Sequence, residues 1–193
     1  DVFDPIFVAR LSEALLDRGA FLNLHLLSDR PLDHLKDYRS SPIGAVCFQL
    51  DAIAIKEERE LAALVAAIRD MEAVASPVIE TAGVRERPAR PAEAVLAQLE
   101  PVLGETGLLT FQAAGTGARS SQPHGSFDEE SLRPYLTRLR DAIPGAVQIQ
   151  GGVTGATIGR IVRLGADFVV CGTEIFRHPE GRSPHQVVGA LLE

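Results

Sequence analysis

Short apolar runs alternate along this chain with longer segments whose apolar residues recur at helical spacing, and few folds accept that rhythm. The runs are Phe21 to Leu26, Ala45 to Leu50, Val78 to Val84, Leu108 to Phe111, Ala146 to Ile149 and Phe168 to Val170. Helical spacing falls on Val8, Leu11 and Leu15, on Leu61, Leu64, Val65 and Ile68, and on Val95, Leu96, Leu99 and Leu103. It returns in Leu132, Leu136 and Leu139 and in Ile158, Ile161, Val162 and Leu164. Polar or glycine-bearing turns separate the segments. An unbroken succession of strand, turn and helix predicts parallel strands joined by helical crossovers, an α/β fold. Asp1 to Asp4 reads as the end of one more strand.

Within the runs the residues alternate a second time. Leu22, Leu24 and Leu26 interleave with Asn23 and His25, and Val46, Phe48 and Leu50 with Cys47, Gln49 and Asp51. Leu109 and Phe111 interleave with Thr110 and Gln112, and Val147 and Ile149 with Gln148 and Gln150. A doubly wound open sheet covers both faces with helices and favours continuous apolar runs. Polar residues at every second position toward the strand ends instead point to a barrel with a polar mouth, where the site would lie. Half-exposed strands with one wet face are the plainer alternative.

The chain has 193 residues, 46% of them hydrophobic and 23% charged, a balance that supplies a real core and excludes disorder as the main state. No linker or low-complexity segment divides it, so residues 1–193 are read as one domain. Its net charge of −7 repels a phosphate backbone and argues against nucleic acid as a partner. No apolar run approaches the roughly 20 residues that cross a bilayer, and no signal sequence precedes the first element, so a cytoplasmic protein without a membrane partner is expected. Cys47 and Cys171 lie in apolar runs at wide spacing, which argues against a disulfide scaffold or a structural zinc site.

Three glycine-bearing turns follow late strands: Gly115-Thr116-Gly117, Gly151-Gly152 and Gly172-Thr173. Such turns let backbone N–H groups approach an anion without a net positive protein, and barrels often bind phosphate at the turns after their last strands. The full three-glycine Rossmann spacing is absent. Gly115 to Ser126 is the one long irregular stretch, and His124 within it reads either as a lid contact or as a plain surface side chain.

The residues resemble the ribulose-phosphate 3-epimerase family of ribulose-phosphate-binding barrels over nearly the whole chain. Asp1-Val-Phe-Asp4 is similar to the family's Asp-Val-Met-Asp phrase, and Leu24-His25-Leu26 to its His-Leu-Met strand. Ala82-Gly83-Val84 with Pro88 and Pro91 fits its Ala-Gly-Val stretch. Gly165-Ala166-Asp167 through Ile175-Phe176 fits its Gly-Ala-Asp and Gly-Ser-Ala-Ile-Phe ending, the most specific match. The resemblance implies inversion at C3 of a pentulose 5-phosphate by two acids on opposite faces, with a divalent metal (zinc, iron, manganese or cobalt) stabilising the enediolate. Carried over, Asp1 becomes base and metal ligand, and His25 becomes metal ligand or electrophile. Gly117 and Ala118, Gly151 and Gly152, and Gly172 and Thr173 become the phosphate cradle. Arg87 and Arg119 either reach the phosphate, or are solvated or paired with Glu86 and Glu80. Asp4 and Asp51 read as structural or rim residues.

The sequence departs from the family at chemically important places. Gln49 stands where the family has its second metal His, and Gln150 where it has the Asp of Asp-Gly-Gly. The loop after the fourth run reads Gln112-Ala-Ala-Gly-Thr-Gly-Ala-Arg119, with an insertion over Ser120 to Gly125. Glutamine neither exchanges protons near neutral pH nor replaces a carboxylate or imidazole on these metals. The leading expectation is an epimerase-like enzyme that moves a proton next to the carbonyl of a phosphorylated ketose. The alternatives are a catalytically impaired sugar-phosphate-binding barrel with a regulatory or structural role, and a one-base isomerase or lyase. The oligomeric state stays open, a homo-oligomer included. The expected fold is an α/β (βα)8 TIM-type barrel lacking the first βα unit and most of strand 2, since six runs and the tail of another are present. Either the natural chain extends beyond Asp1, or the barrel is open beside Phe21 to Leu26 and Phe168 to Val170.

Overall fold

The structure, a computed structural model, describes residues 4–51, 57–81, 89–113, 127–142, 145–178 and 180–192. In chain order the elements are α1 (Pro5–Leu16), β1 (Leu22–Leu26), α2 (Pro31–Leu35), β2 (Ile43–Gln49), α3 (Glu58–Arg69), β3 (Val74–Glu80) and α4 (Ala92–Leu99). They continue with β4 (Leu108–Gln112), α5 (Glu129–Leu139), β5 (Ala146–Gln150), α6 (Ile158–Arg163), β6 (Phe168–Val170), α7 (Thr173–Phe176) and α8 (Pro184–Leu192). The strands form one six-stranded sheet in the order of the chain, from β1 to β6. β1 with β2, β2 with β3, and β5 with β6 pair in parallel. This is the α/β alternation that the apolar rhythm predicts.

The chain divides into two compact units. The first comprises Asp1–Ile79, Ala97–Leu109 and Ile143–Gly145. Its core is built from β2, α2 and α3, where Phe48, Leu35, Leu61, Leu64 and Ile68 are almost fully buried. α3 buries Leu61, Leu64, Val65 and Ile68, the four residues set out by helical spacing. Its start is fixed locally: the Glu57 N–H donates to the Glu60 carboxylate at 2.9 Å, satisfying a group that no helical carbonyl can reach. α1 starts in the same way, with the Ile6 N–H donating to the Asp4 side chain at 2.8 Å ahead of the first turn. Asp4 is therefore structural, as the sequence indicates.

The second unit comprises Glu80–Leu96, Thr110–Ala142 and Ala146–Glu193. Phe111, Leu132, Leu139, Ile149 and Ile161 are among its most deeply buried apolar residues. α5 begins on Asp128, whose carboxylate accepts from the Ser131 N–H and hydroxyl, and it buries Leu132, Tyr135, Leu136 and Leu139. Asp167 ties β6 to β5: its carboxylate accepts from the Val147 N–H at 2.8 Å and its own N–H donates to the Val147 carbonyl at 2.9 Å. The Gly165-Ala166-Asp167 phrase thus has a structural task.

Some expectations shift. β3 begins at Val74 rather than Val78, because Ser76-Pro77 does not break it. Proline's fixed φ is compatible with extended backbone, and Pro77 sits in register with Phe48. α2 and α7, of five and four residues, carry too few turns to show a helical period in sequence, and α8, of nine, is a helix that the apolar spacing does not single out. Leu11 and Val162, expected in the core, are 37% and 57% exposed, while their helices turn Val8 and Ile161 inward. Among the described residues no helix is long and apolar enough to cross a membrane.

Ile68 is wholly enclosed in the first unit, and truncating such a side chain loses transfer energy and leaves a cavity. Ile68→Ala is expected to lower unfolding free energy by about 2–5 kcal/mol, read from urea denaturation, with Ile68→Val costing about 0.5–1.5 kcal/mol.

Candidate functional site

In the first unit, β1 and β2 set Asn23 and His25 on one sheet face with Cys47 and Gln49, because parallel register pairs His25 with Cys47 and side chains repeat every second residue. The Cys47 thiol donates to the Asn23 side-chain oxygen at 3.2 Å. Toward the strand ends, the Gln49 amide nitrogen lies 3.2 Å from His25 Nε2. An amide nitrogen only donates, so Nε2 accepts and the imidazole proton sits on Nδ1. Burial pushes the His25 pKa below its ordinary value, which also favours the neutral ring. His25 so arranged carries its proton on Nδ1 and is held toward the neutral form.

In the second unit, β4 and β5 repeat the device. Gln148 Nε2 donates to the Thr110 hydroxyl at 3.0 Å in a buried pair, and one step along both strands Gln150 Nε2 donates to Gln112 Oε1 at 3.0 Å. The main chain around the outer pair is held from several sides. The Gln112 carbonyl accepts the Thr81 N–H at 3.2 Å and the Thr81 hydroxyl at 3.1 Å. The Gln150 carbonyl accepts the Ala113 N–H at 2.9 Å, and the Ala113 carbonyl accepts the Asp128 N–H at 2.9 Å.

The Gly151-Gly152 turn follows directly. Both residues have positive φ, 90° and 69°, and a Cβ on Gly152 would lie 2.3 Å from the Phe127 nitrogen. Glycine is required there by backbone conformation and by close approach of the chain, before any ligand is considered. The Thr157 hydroxyl closes the turn, donating to the Gly152 carbonyl at 2.7 Å and accepting the Thr154 N–H at 2.9 Å. Gly172 and Thr173 stand at the exposed start of α7, where a Cβ on Gly172 would meet no atom within 4 Å. Gly172 therefore has no steric requirement of its own.

Glu174 is not among the residues that the sequence singles out, yet it stands at this turn. Its carboxylate accepts the Gly155 N–H at 3.1 Å and lies 3.9 Å from His178 Nε2. A negative charge is thus already installed beside the turn after β5. Burial, with the Glu174 charge adding to it, pushes the Cys171 thiol pKa up and makes it a poor nucleophile. The signal was a charged residue two places after Gly172. A groove of about 800 Å³ runs over α5 and Arg160, but it holds none of the predicted site residues. There Glu129 pairs with both Arg133 and Arg160.

Asp1, Gly117, Ala118, Arg87, Arg119 and His124 lie outside the described residues. Among the described residues no three His, Cys, Asp or Glu side chains come together as a metal site. What is described of the implied ligand positions is one imidazole, already engaged at Nε2, and the amides of Gln49 and Gln150. That donor set does not fit zinc, iron, manganese or cobalt, which select imidazole, thiolate or anionic oxygen.

No protein-family model matches the chain. Its α/β fold, with strands following one another in chain order, is shared with several solved structures. A 3-hexulose-6-phosphate synthase structure superposes with a TM-score of 0.67 at 14% identity, covering 97% of this chain and 78% of that one. A native KDPGal structure gives a TM-score of 0.58 at 14% identity over 96% of this chain and 72% of that one. The carboxyl transferase domain of Rhizobium etli pyruvate carboxylase gives 0.55 at 14% identity, covering 97% of this chain and 38% of that one. In sequence, the chain resembles a ribulose-phosphate 3-epimerase from Candida glabrata, at 25% identity over 175 residues and 90% of its length. The resemblance drawn from the motifs thus extends along nearly the whole chain, while the chain spans 61% of the length of that curated relative.

Two consequences can be measured. Because His25 binds its proton less tightly folded than unfolded, the stability gained by keeping it neutral is complete above about pH 6.5. It is lost as pH falls from there toward the lower folded-state pKa. His25→Gln, which cannot titrate, is expected to lose less stability between pH 8 and pH 5 than the parent in urea titrations. Gly152→Ala forces a positive φ and a clash with Phe127, and is expected to cost about 1–3 kcal/mol in the same assay.

Proposed function

We propose that the chain is a sugar-phosphate enzyme built as a (βα)8-type barrel of the ribulose-phosphate 3-epimerase kind, one domain over residues 1–193. It acts on a phosphorylated ketose by proton transfer next to the carbonyl. The observation that carries this reading is the likeness to a ribulose-phosphate 3-epimerase over 90% of the chain. The fold shared with 3-hexulose-6-phosphate synthase supports the same substrate class. A soluble cytoplasmic setting, where phosphorylated sugars occur, goes with the proposal, as does the absence of a nucleic-acid or membrane partner.

The chemistry requires a base for the proton beside the carbonyl and a donor for the oxygen that gains charge. Asp1 is the proposed base. His25 is the proposed donor: neutral, with Nε2 held by Gln49, it offers Nδ1–H to the oxygen, and a placed donor stabilises an enediolate without itself giving up the proton. The phosphate is assigned to the backbone around Gly151 and Gly152, to Gly172 and Thr173, and to Gly117 and Ala118. Asp1 and His25 are the residues left for a divalent metal. With amides at Gln49 and Gln150 the described set does not fit one, so no step here runs through it.

A second reading has its own observation. Gln150 stands where the family resemblance calls for the second acid, and its side chain is an amide hydrogen-bonded to Gln112, which returns no proton to the substrate. The reaction is then exchange or isomerisation on a single face. With Asp1 also inactive, the chain would be a sugar-phosphate-binding barrel without turnover.

Incubation with D-ribulose 5-phosphate in deuterated water tests the proposal. Deuterium is expected to enter at C3 faster than xylulose 5-phosphate forms, and His25→Ala is expected to slow entry by about 10²–10⁴-fold. No entry at C3 would overturn the enzymatic reading. Gln150→Asp, which restores a group able to carry a proton, is expected to raise the ratio of inversion to exchange.

A further inference from the structure

The Gln112 and Gln150 side chains spend only part of their hydrogen-bonding capacity on each other. Gln150 gives one amide N–H to Gln112 Oε1 at 3.0 Å. Each glutamine side chain carries two N–H donors and a carbonyl with two lone pairs. What remains is the NH₂ group of Gln112, the carbonyl oxygen of Gln150 and the second N–H of Gln150. Among the described residues these atoms have no further partner. Both residues are half-buried, so the unused donors and acceptor are partly withdrawn from water.

The pair is held in place from below and behind. Gln148 and Thr110 bond in the same sense, from β5 to β4, one step deeper, and both are buried. The Gln112 carbonyl carries two bonds from Thr81, and the Gln150 carbonyl carries one from Ala113. These bonds hold the main chain of both residues and leave the two amide ends side by side with donors and an acceptor unspent. A ligand meeting them must both give and accept hydrogen bonds. A phosphate or carboxylate only accepts, and would set its charge against the Gln150 carbonyl. An ammonium group only donates, and would face the Gln112 NH₂. A pair of neighbouring hydroxyls answers both, one accepting from Gln112 and the other donating to Gln150.

We propose that Gln112 and Gln150 form an amide clamp that binds two adjacent hydroxyls of a polyhydroxy ligand. This rests on the sugar-phosphate reading above and adds what that site recognises. It makes Gln150 a specificity residue at a position where the related enzymes place an acid. Sites built to hydrogen-bond a ligand hydroxyl discriminate strongly against analogues that lack it, because the site's own polar groups are then left unpaired.

Calorimetric titration with D-ribulose 5-phosphate, which carries adjacent hydroxyls, and with ethyl phosphate, which carries none, separates the possibilities. Gln112→Met and Gln150→Met keep the side-chain length and remove the amides. Each is expected to weaken ribulose 5-phosphate binding by about tenfold and to leave ethyl phosphate unchanged. Should the Met variants unfold, Gln112→Glu keeps the oxygen that accepts from Gln150 and turns the free donor into an acceptor. It is expected to lower the ratio of ribulose 5-phosphate to ethyl phosphate affinity by a similar factor. Unchanged ribulose 5-phosphate binding in these variants, or equal weakening of both ligands, would overturn the clamp and leave the sugar-phosphate reading standing. Failure of the parent protein to bind ribulose 5-phosphate would overturn both.

Discussion

Pairing of polar side chains on one face of the strands is the constraint on which the site depends. Strands of this kind bury residues on both faces, and a buried polar group without a partner costs about 1–3 kcal/mol. The chain meets this cost pairwise between neighbouring strands. In the first unit Cys47 meets Asn23 and Gln49 meets His25, and in the second Gln148 meets Thr110 and Gln150 meets Gln112. A register slip of one residue in any of these strands would turn the polar row toward the helices and the apolar row away from them. Register, core and the chemistry of the strand ends are therefore set by the same alternation.

That alternation is also why so much of the fold could be read from sequence. The four buried residues of α3 and the bounds of β6 are local patterns, visible without knowing what they pack against. β3 was legible only in part, because Ser76-Pro77 has the composition of a turn and becomes strand through its pairing with β2. α2, with five residues, has no period to detect, and its place depends on burying Pro31 and Leu35. At the site, the polar positions were visible but their partners were not. Nothing local to Gln49 says that its amide meets His25, since the two are 24 positions apart with a helical crossover between them.

The glycine turns show how a family likeness and a physical requirement differ. Gly151 and Gly152 are demanded by positive φ and by the closeness of Phe127, whereas Gly172 has a negative φ and open space around its missing Cβ. The first pair would be glycine in a protein that bound nothing. Gly172 has no such reason in the backbone, so a role in approaching a ligand is better motivated there. Glu174 complicates that approach, because its carboxylate already takes the Gly155 N–H and sets a negative charge two residues beyond Gly172.

Charge then limits the chemistry more tightly than fold does. The same architecture serves a 3-hexulose-6-phosphate synthase and a pyruvate carboxylase domain, so it leaves the reaction undetermined. The described polar positions at the strand ends are an imidazole that burial keeps toward its neutral form and three amides, and the amides exchange no proton at neutral pH. Such groups orient hydroxyls and support a developing oxyanion, but they do not begin the reaction. The proton abstraction proposed above would therefore draw on a group outside this set. For the proposed reaction that is the place of Asp1: with amides at Gln49 and Gln150, the base has to stand at a position that these two do not occupy.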